Sequence, residues 1–342
     1  VSAQPSETNL TVAVTGPTGT FGFGLMPLLQ ADERIARVIG IARRPFDPAE
    51  HDWTKMEYRR GDVREPAVLE EAFAGVDVVV HLAFMITGNA SRKTVRAINV
   101  EGTLNTFRAA AAAGARRFVY ASSVAAYGFH RDNPEGMTEE WPVRPAARLF
   151  YAQEKAEIEH LLGAEAEAHP GLGLYLLRPP IVIGPHTLGG KELPLPGWLE
   201  AIGRHMGALL VRLPVRMPVL VPSLPVQFIH EDDVGQAFLL CVVGAGPPGA
   251  YNITGDGVLT GAEVARELGL ASLPLPARPV QTAARTLAAL PSPPFMPPTA
   301  EWLEAASQPS IMDATKAKRE LDWQPRYTSV EALRHTLRRP SR

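Results

Sequence analysis

A tyrosine and a lysine stand four residues apart in the segment Tyr151-Ala152-Gln153-Glu154-Lys155. On a helix such residues share one face, one turn apart. A phenol ordinarily titrates at roughly pH 10, too high to exchange protons at neutrality. A neighbouring ammonium favours the phenolate and lowers that value. Tyr151 could then pass a proton to or from a substrate oxygen. The same spacing is common on amphipathic helices, so alone it identifies nothing. Upstream, Ser122 and Ser123 follow the apolar run Arg117–Ala121. A hydroxyl at the C-terminal end of a parallel strand can bond a substrate carbonyl or alkoxide oxygen. It can also be a turn serine that satisfies backbone groups, a description that suits Ser122 better than Ser123.

A second constellation is the turn Thr15-Gly16-Pro17-Thr18-Gly19-Thr20-Phe21-Gly22, whose glycines are three apart. It lies between an apolar β-branched run and an apolar helical stretch, the context that a dinucleotide site requires. One glycine permits the tight turn, one lets backbone approach a pyrophosphate, and one lets helix and strand pack closely. The free N–H groups and positive dipole end of the helix would then face the phosphates. The acidic residue expected after the second strand is replaced by Arg43-Arg44. An arginine accommodates the phosphate of NADP where a carboxylate would hold the ribose of NAD, so the pair leans toward NADP. For Arg44 a solvated basic turn is an equal alternative. Asp62, in Gly61-Asp62-Val63, could accept from an adenine amino group or cap a helix over Arg64–Phe73.

These residues need a frame that alternates strand and helix. Leu10–Thr15, Arg37–Ala42, Lys55–Arg60, Val76–Leu82, Arg117–Ala121 and Leu172–Leu177 read as strands. Phe21–Gln30, Glu65–Phe73, Thr94–Ala113 and Arg148–Ala168 read as helices. The alternation predicts an α/β fold, a Rossmann-type doubly wound parallel sheet, with a smaller C-terminal substrate-binding part. Residues 8–184 would form the cofactor domain, with 226–255 returning to it. Residues 185–225 and 256–342, proline-dense in places, would form the substrate part.

Composition narrows the classes. The 342 residues carry 34 Lys+Arg against 36 Asp+Glu, a net charge of −2. A sequence-nonspecific nucleic-acid binder normally has a basic excess, so that class is disfavoured. Hydrophobic residues at 46% suffice for a sizeable core. Cys241 is the only cysteine, which excludes an intramolecular disulfide and a cysteine metal cluster. No metal site is expected. Residues Val1–Asn9 are polar, and the longest charge-free run is a poor membrane span. The expectation is a cytoplasmic protein without membrane contact.

Taken together, the motifs resemble the extended short-chain dehydrogenase/reductase family, also called the NAD-dependent epimerase/dehydratase family. The resemblance runs in order through TGPTGTFG, GDV at 61–63, HLA at 81–83, NVEGT at 99–103, SSVAAYG at 122–128, YAQEK at 151–155, LRPP at 177–180 and FIHEDDV at 228–234. It implies that Ser123, Tyr151 and Lys155 are catalytic, with Lys155 also bonding the nicotinamide ribose. It implies cofactor contacts at Gly16, Thr18, Gly19, Thr20, Phe21, Gly22, Arg43, Arg44, Asp62, Val63, Leu82, Ala83, Asn99, Tyr151, Lys155, Pro179 and Ile181. Asn99 would be partly structural, and His230 would support the second domain. Relatives that dimerise through two long helices suggest a homodimer through Thr94–Ala113 and Arg148–Ala168. The same apolar faces would suit internal packing.

Departures from the family pattern narrow the chemistry. Val124-Ala125 stand where sugar-nucleotide 4,6-dehydratases place Asp-Glu, and neither can exchange a proton. Leu177–Gly184 lacks the asparagine with which epimerases meet a diphosphate, and Gln227 replaces an arginine before Phe228. The region Leu193–Val226 is largely apolar, although Arg204, Arg212 and Arg216 could meet a diphosphate. The expected function is NAD(P)-dependent interconversion of a secondary alcohol and a ketone or aldehyde, on a small or hydrophobic substrate. A nucleotide-sugar epimerase with retained NAD is the alternative. A non-catalytic NADP-binding sensor ranks last, because both Tyr151 and Lys155 are present.

Overall fold

The computed structural model describes residues 8–86, 90–147, 149–187, 218–222, 224–275 and 308–337. Six strands and the helices between them come first: β1 (Leu10–Thr15), α1 (Thr20–Ala31), β2 (Ile35–Ala42), β3 (Met56–Arg60), α2 (Pro66–Ala72) and β4 (Val78–His81). They continue as α3 (Arg92–Arg96), α4 (Gly102–Ala112), β5 (Arg117–Ala121), α5 (Phe150–Ala168) and β6 (Gly173–Arg178). A seventh strand, β11 (Gly249–Asn252), follows helix α6 (Glu231–Val242) and closes the sheet at its far edge. The order is β11-β6-β5-β4-β1-β2-β3, and every pairing is parallel. The order in which strands are added reverses between β1 and β4, and in such sheets the ligand crevice lies at that switch point, beyond the C-terminal strand ends.

Both faces of the sheet are buried at its centre, so β1, β4 and β5 carry consecutive apolar residues rather than alternate ones, whereas the edge strand β3 is largely polar. Leu10, Val12, Val14, Val78, Val80, Val119 and Leu177 enter one core with α1 and α6. Ala13, Ile39, Ile41, Val79, Phe118 and Tyr120 enter the other, with α2, α4 and α5. This period of two decides which side chains can meet: Tyr120 must lie under α5. The short strands β7 (Ile181–Ile183) and β10 (Phe228–His230) pair in parallel, as do β8 (Pro218–Pro222) and β13 (Ala271–Leu275). The strands β9 (Pro225–Val226) and β12 (Leu259–Thr260) are antiparallel. Helices α7 (Gly261–Glu267), α8 (Thr315–Glu320) and α9 (Ser329–Leu337) complete the described chain. Most of the region expected to line the substrate, including Arg204, Arg212 and Arg216, lies outside the described residues. His230 caps α6: its Nδ1 accepts from the Asp232 N–H at 3.2 Å, while Nε2 lies 2.8 Å from Nδ1 of His335 on α9.

The helix expected to run unbroken over Thr94–Ala113 is interrupted. A π-helical turn, Ala97–Glu101, separates α3 from α4. The Thr103 hydroxyl donates to the Asn99 carbonyl, diverting an acceptor that an unbroken helix uses for its own ladder. π-Turns of this kind widen a helix locally and often carry functional side chains. Among the described residues, no helix is long and apolar enough to cross a membrane, and no cluster of His, Cys, Asp and Glu could hold a metal ion.

Helices α1 and α6 meet backbone to backbone. A Cβ on Gly24 would stand 2.1 Å from the Glu231 carbonyl oxygen, and one on Gly235 would stand 2.1 Å from that of Gly24. Gly163, inside α5, has open space at the same position. Gly24→Ala is therefore expected to destabilise the fold by about 2 kcal/mol or more, through a clash that a rigid backbone cannot relieve. Gly163→Ala should stabilise it by roughly 0.5–1 kcal/mol, because alanine has less backbone entropy to lose. Urea midpoints of the two variants, moving in opposite directions, check the assignment.

Candidate active site

The glycine turn sits at the switch point. Gly16 has φ +72°, a left-handed conformation, and a Cβ there would fall 2.8 Å from the Ala83 nitrogen. Gly19 is the N-cap of α1, where no side chain caps the helix and no acidic residue occupies the first turn. The first N–H groups of a 12-residue helix are thus left for an anion, and the backbone around Gly19 is exposed. Thr18, Thr20 and Phe21 flank it, half-buried. This arrangement fits a pyrophosphate. Gly22 has a different reason from the one its spacing suggests. A Cβ there would meet the Pro17 carbonyl oxygen at 2.0 Å, so it packs the turn on itself, and close packing of α1 falls to Gly24.

The floor beneath the turn is a closed chain of hydrogen bonds. Thr15 Oγ lies 2.7 Å from His81 Nδ1, and His81 Nε2 lies 2.9 Å from Thr103 Oγ. Because the Thr103 proton goes to the Asn99 carbonyl, His81 must donate from Nε2 and accept at Nδ1. Burial, and secondarily the Lys155 ammonium, push His81 down to about 3, so the ring is neutral. Leu82 N–H donates to the Thr15 carbonyl at 3.0 Å, and Ala83 N–H to Thr15 Oγ at 3.4 Å. That fixes Leu82 and Ala83 at the end of β4.

At the β2 end of the crevice the expectations need correction. The Asp62 carboxylate accepts from Arg64 at Nε (3.0 Å), Nη2 (2.7 Å) and the backbone N–H (3.0 Å). These bonds hold its carboxyl below the usual range. It closes a two-residue turn onto Arg64 instead of capping a helix, since α2 begins at Pro66 with Glu65 before it. Arg64 thereby takes three of the bonds that the Asp62 carboxylate can accept, two of them on Oδ1 and one on Oδ2. The Val63 side chain is buried against Gly102, so only its backbone can face a ligand. Arg43 and Arg44 are exposed just beyond β2. Their backbone is pinned: Arg60 Nε donates to the Arg43 carbonyl at 3.0 Å, and the Tyr58 hydroxyl to that of Arg44.

Ser123, Tyr151 and Lys155 converge beyond the end of β5. Ser123 is 6% exposed, and its hydroxyl bonds the Tyr151 hydroxyl. Its oxygen also accepts from the Ala125 N–H at 3.2 Å. Lys155 is 3% exposed. Its Nζ donates to the Ala121 carbonyl at 2.6 Å and to the Tyr120 hydroxyl at 3.1 Å, and lies 3.7 Å from the centre of the Phe84 ring. Burial pulls the ammonium down to about 7, against Glu159 and Glu154, which pull it up. Burial also raises Tyr151, against the Ser123 hydrogen bond. Desolvation is the larger of these two effects on the phenol, and the Lys155 ammonium stands 5.9 Å from its ring centre. Pro179 is buried, and its carbonyl accepts from Val124 N–H at 2.9 Å, whereas Ile181 is half exposed.

Asn99 is committed elsewhere. Its Oδ1 accepts from the Met85 N–H at 2.8 Å, and its Nδ2 donates to the Met85 carbonyl at 3.0 Å and to Glu154 at 2.7 Å. With both amide protons spent inside the protein, it clamps the segment after β4 and has no donor for a cofactor. Ser122 is likewise structural, bonded to Glu159. Sequence reasoning missed Glu159, although Tyr151, Lys155 and Glu159 follow one another at four-residue steps along one helix face. Glu159 and Arg178 form a buried ion pair (Nε to Oε1, 2.9 Å), and Arg178 Nη1 donates to the Tyr127 hydroxyl at 2.7 Å. That hydroxyl donates to Asn252 Oδ1 at 2.8 Å, which ties α5 and β6 to the loop after β5 and to β11.

Keeping a cation dry costs stability. A lysine with its folded value near 7 and an ordinary value of 10.5 binds fewer protons folded than unfolded between those limits. The cost is therefore full below about pH 7 and vanishes as pH rises through about 10.5. Lys155→Met is expected to be more stable than the parent at pH 6.5, by on the order of several kcal/mol at most. The gain should shrink toward pH 10. Denaturant midpoints at the two pH values check this, and a pH-independent gap would contradict it.

The same fold recurs in known proteins. Sterol demethylase protein B of Methylococcus capsulatus is 34% identical over 179 residues, 52% of this chain and 52% of that protein, so the match spans about half of each. An uncharacterized protein of Sinorhizobium fredii is 27% identical over 335 residues, 95% of this chain and 77% of its own length. The dTDP-glucose 4,6-dehydratase DesIV from Streptomyces venezuelae, solved with NAD bound, has a TM-score of 0.70 at 22% identity, covering 96% of each chain. A family model, described as the NAD dependent epimerase/dehydratase family, matches residues 12–254. The match takes in the glycine turn, the Ser123–Tyr151–Lys155 constellation, six strands of the sheet in full and most of β1, and on that ground the chain belongs to the NAD-dependent epimerase/dehydratase family.

Proposed function

We propose that this chain is an NAD(P)-dependent oxidoreductase that interconverts a secondary alcohol and the corresponding ketone. The observation that carries the reading is the Ser123–Tyr151 hydroxyl contact at the end of β5, with the Lys155 ammonium on the same helix face, beside a glycine turn that leaves helix N–H groups open to a phosphate. A bound nicotinamide supplies the hydride acceptor or donor. Ser123 and Tyr151 hold the substrate oxygen between two hydroxyls. In reduction the Tyr151 phenol, kept protonated by burial, delivers its proton to that oxygen. In oxidation the phenolate takes the hydroxyl proton, and the Lys155 ammonium favours the phenolate. Val124 and Ala125, both buried and without an ionisable group, supply no acid or base for a dehydration.

The substrate end of the site favours an apolar molecule. Phe84, Met85 and Ile86 follow β4, and Ile181 follows β6, all at the C-terminal edge of the sheet. Ile86 is 42% and Ile181 51% exposed, so both can offer apolar surface to a molecule bound there. The sterol demethylase relative takes, by its name, a substrate of that kind. Residues 8–184 with 226–255 would hold the cofactor, and 185–225 with 256–342 would complete the substrate part.

Tyr151→Phe is expected to lower turnover of apolar ketones by roughly 10²–10⁴-fold while leaving cofactor affinity nearly unchanged. Parallel loss of cofactor binding would make Tyr151 structural. Arg43 is assigned to the 2′-phosphate of NADP. Arg43→Ala should weaken NADPH binding by about tenfold and leave NADH binding unaffected, as a lost charge-assisted hydrogen bond does. Nicotinamide fluorescence titrations separate the two cofactors, and equal losses for both would remove the NADP assignment.

A further inference from the structure

The Lys155 ammonium has three protons. One goes to the Ala121 carbonyl and one to the Tyr120 hydroxyl. On its remaining side stands the Phe84 ring, centred 3.7 Å from Nζ. The same ring meets Tyr151 edge-on, with centroids 5.6 Å apart and planes at 87°. One aromatic side chain therefore touches both members of the tyrosine–lysine pair.

Its backbone is fixed on either side. Ala83 N–H is tied to Thr15 Oγ, and both the N–H and carbonyl of Met85 are tied to the Asn99 amide. Asn99 is anchored in turn by Glu154, the residue before Lys155. Phe84 is thus held by hydrogen bonds to β1 and to the π-turn, independently of its contact with the ammonium. We propose that Phe84 is a positioning residue: its ring face holds the Lys155 ammonium charged and aligned beside Tyr151. This rests on the role given to Lys155 above.

The physical reason is electrostatic. An aromatic face is electron-rich and attracts a cation most strongly where water is excluded. The other groups facing this ammonium are Tyr151, Glu154 and Glu159 on its own helix, Tyr120 on β5, and neutral His81 on β4. Neither carboxylate is bonded to Nζ: Glu159 is engaged by Arg178 and Ser122, and Glu154 by Asn99. Phe84 is the closer support.

The test reads the lysine directly. The sequence has six lysines, so the ¹³Cε resonances of labelled protein can be resolved, and Lys155→Met identifies the signal of interest. Phe84→Leu keeps the apolar bulk and removes the π face, whereas Phe84→Tyr keeps both. The midpoint of the Lys155 titration should fall by about one pH unit in Phe84→Leu and stay in place in Phe84→Tyr. The alkaline limb of the turnover–pH profile should fall with it, because the lysine loses its charge at a lower pH. An unmoved midpoint in Phe84→Leu, or an equal fall in both variants, overturns the proposal. Titration of the lysine needs no turnover, so this outcome is separate from the Tyr151→Phe result that judges the catalytic reading.

Discussion

The structure is organised around one buried ammonium. Lys155 lies under the sheet edge where its charge is unfavourable, and most polar groups nearby have positions that make this tolerable. The Ala121 carbonyl and the Tyr120 hydroxyl accept from it, and the Phe84 ring covers a third direction. Tyr120 can do so because the period of the sheet points it toward α5. His81, also fully buried, stays neutral and adds no second cation. A core built only for stability would put an apolar side chain at 155, so the lysine is best understood as a functional demand on the fold.

A second buried ion pair reinforces the site from below. Glu159 and Arg178 join α5 to β6, and Arg178 reaches through Tyr127 to Asn252 on β11. The last strand to join the sheet thereby helps to fix the loop that carries Ser123. The Tyr127–Asn252 bond that closes this network joins residues 125 apart in sequence. That distance is a physical reason to regard the cofactor side and the later elements as one cooperative unit.

How much was legible in the sequence depended on whether the deciding contact was local. The strands were readable because burial on both faces leaves continuous apolar runs. Tyr151 and Lys155 were readable because four residues is one helical turn. The helix cap expected of Asp62 was misplaced because its carboxylate turns onto the arginine two residues on, and α2 begins only at Pro66. Asn99 misled because its amide is spent on Met85 and Glu154, groups distant in sequence. The interruption at Ala97–Glu101 was hidden by a run whose composition is ordinary for a helix. Gly24 and Gly235 lie outside any motif, and only the crossing of α1 and α6 explains them. Phe84 stands one residue beyond HLA, and its ring direction is fixed by a clamp that no local pattern announces.

The central claim is net hydride transfer between an exchangeable nicotinamide and an apolar carbonyl, with Tyr151 as proton donor. Its most direct test is isotopic. The protein would be incubated with an apolar ketone and NADPH carrying deuterium at C4, with each face labelled in turn, and the alcohol analysed by mass spectrometry. The account predicts one deuterium in the product from a single labelled face, matched by an equal amount of released oxidised cofactor. Alcohol formed without label from either face, or label confined to cofactor that stays on the protein while a sugar nucleotide is epimerised, would contradict it.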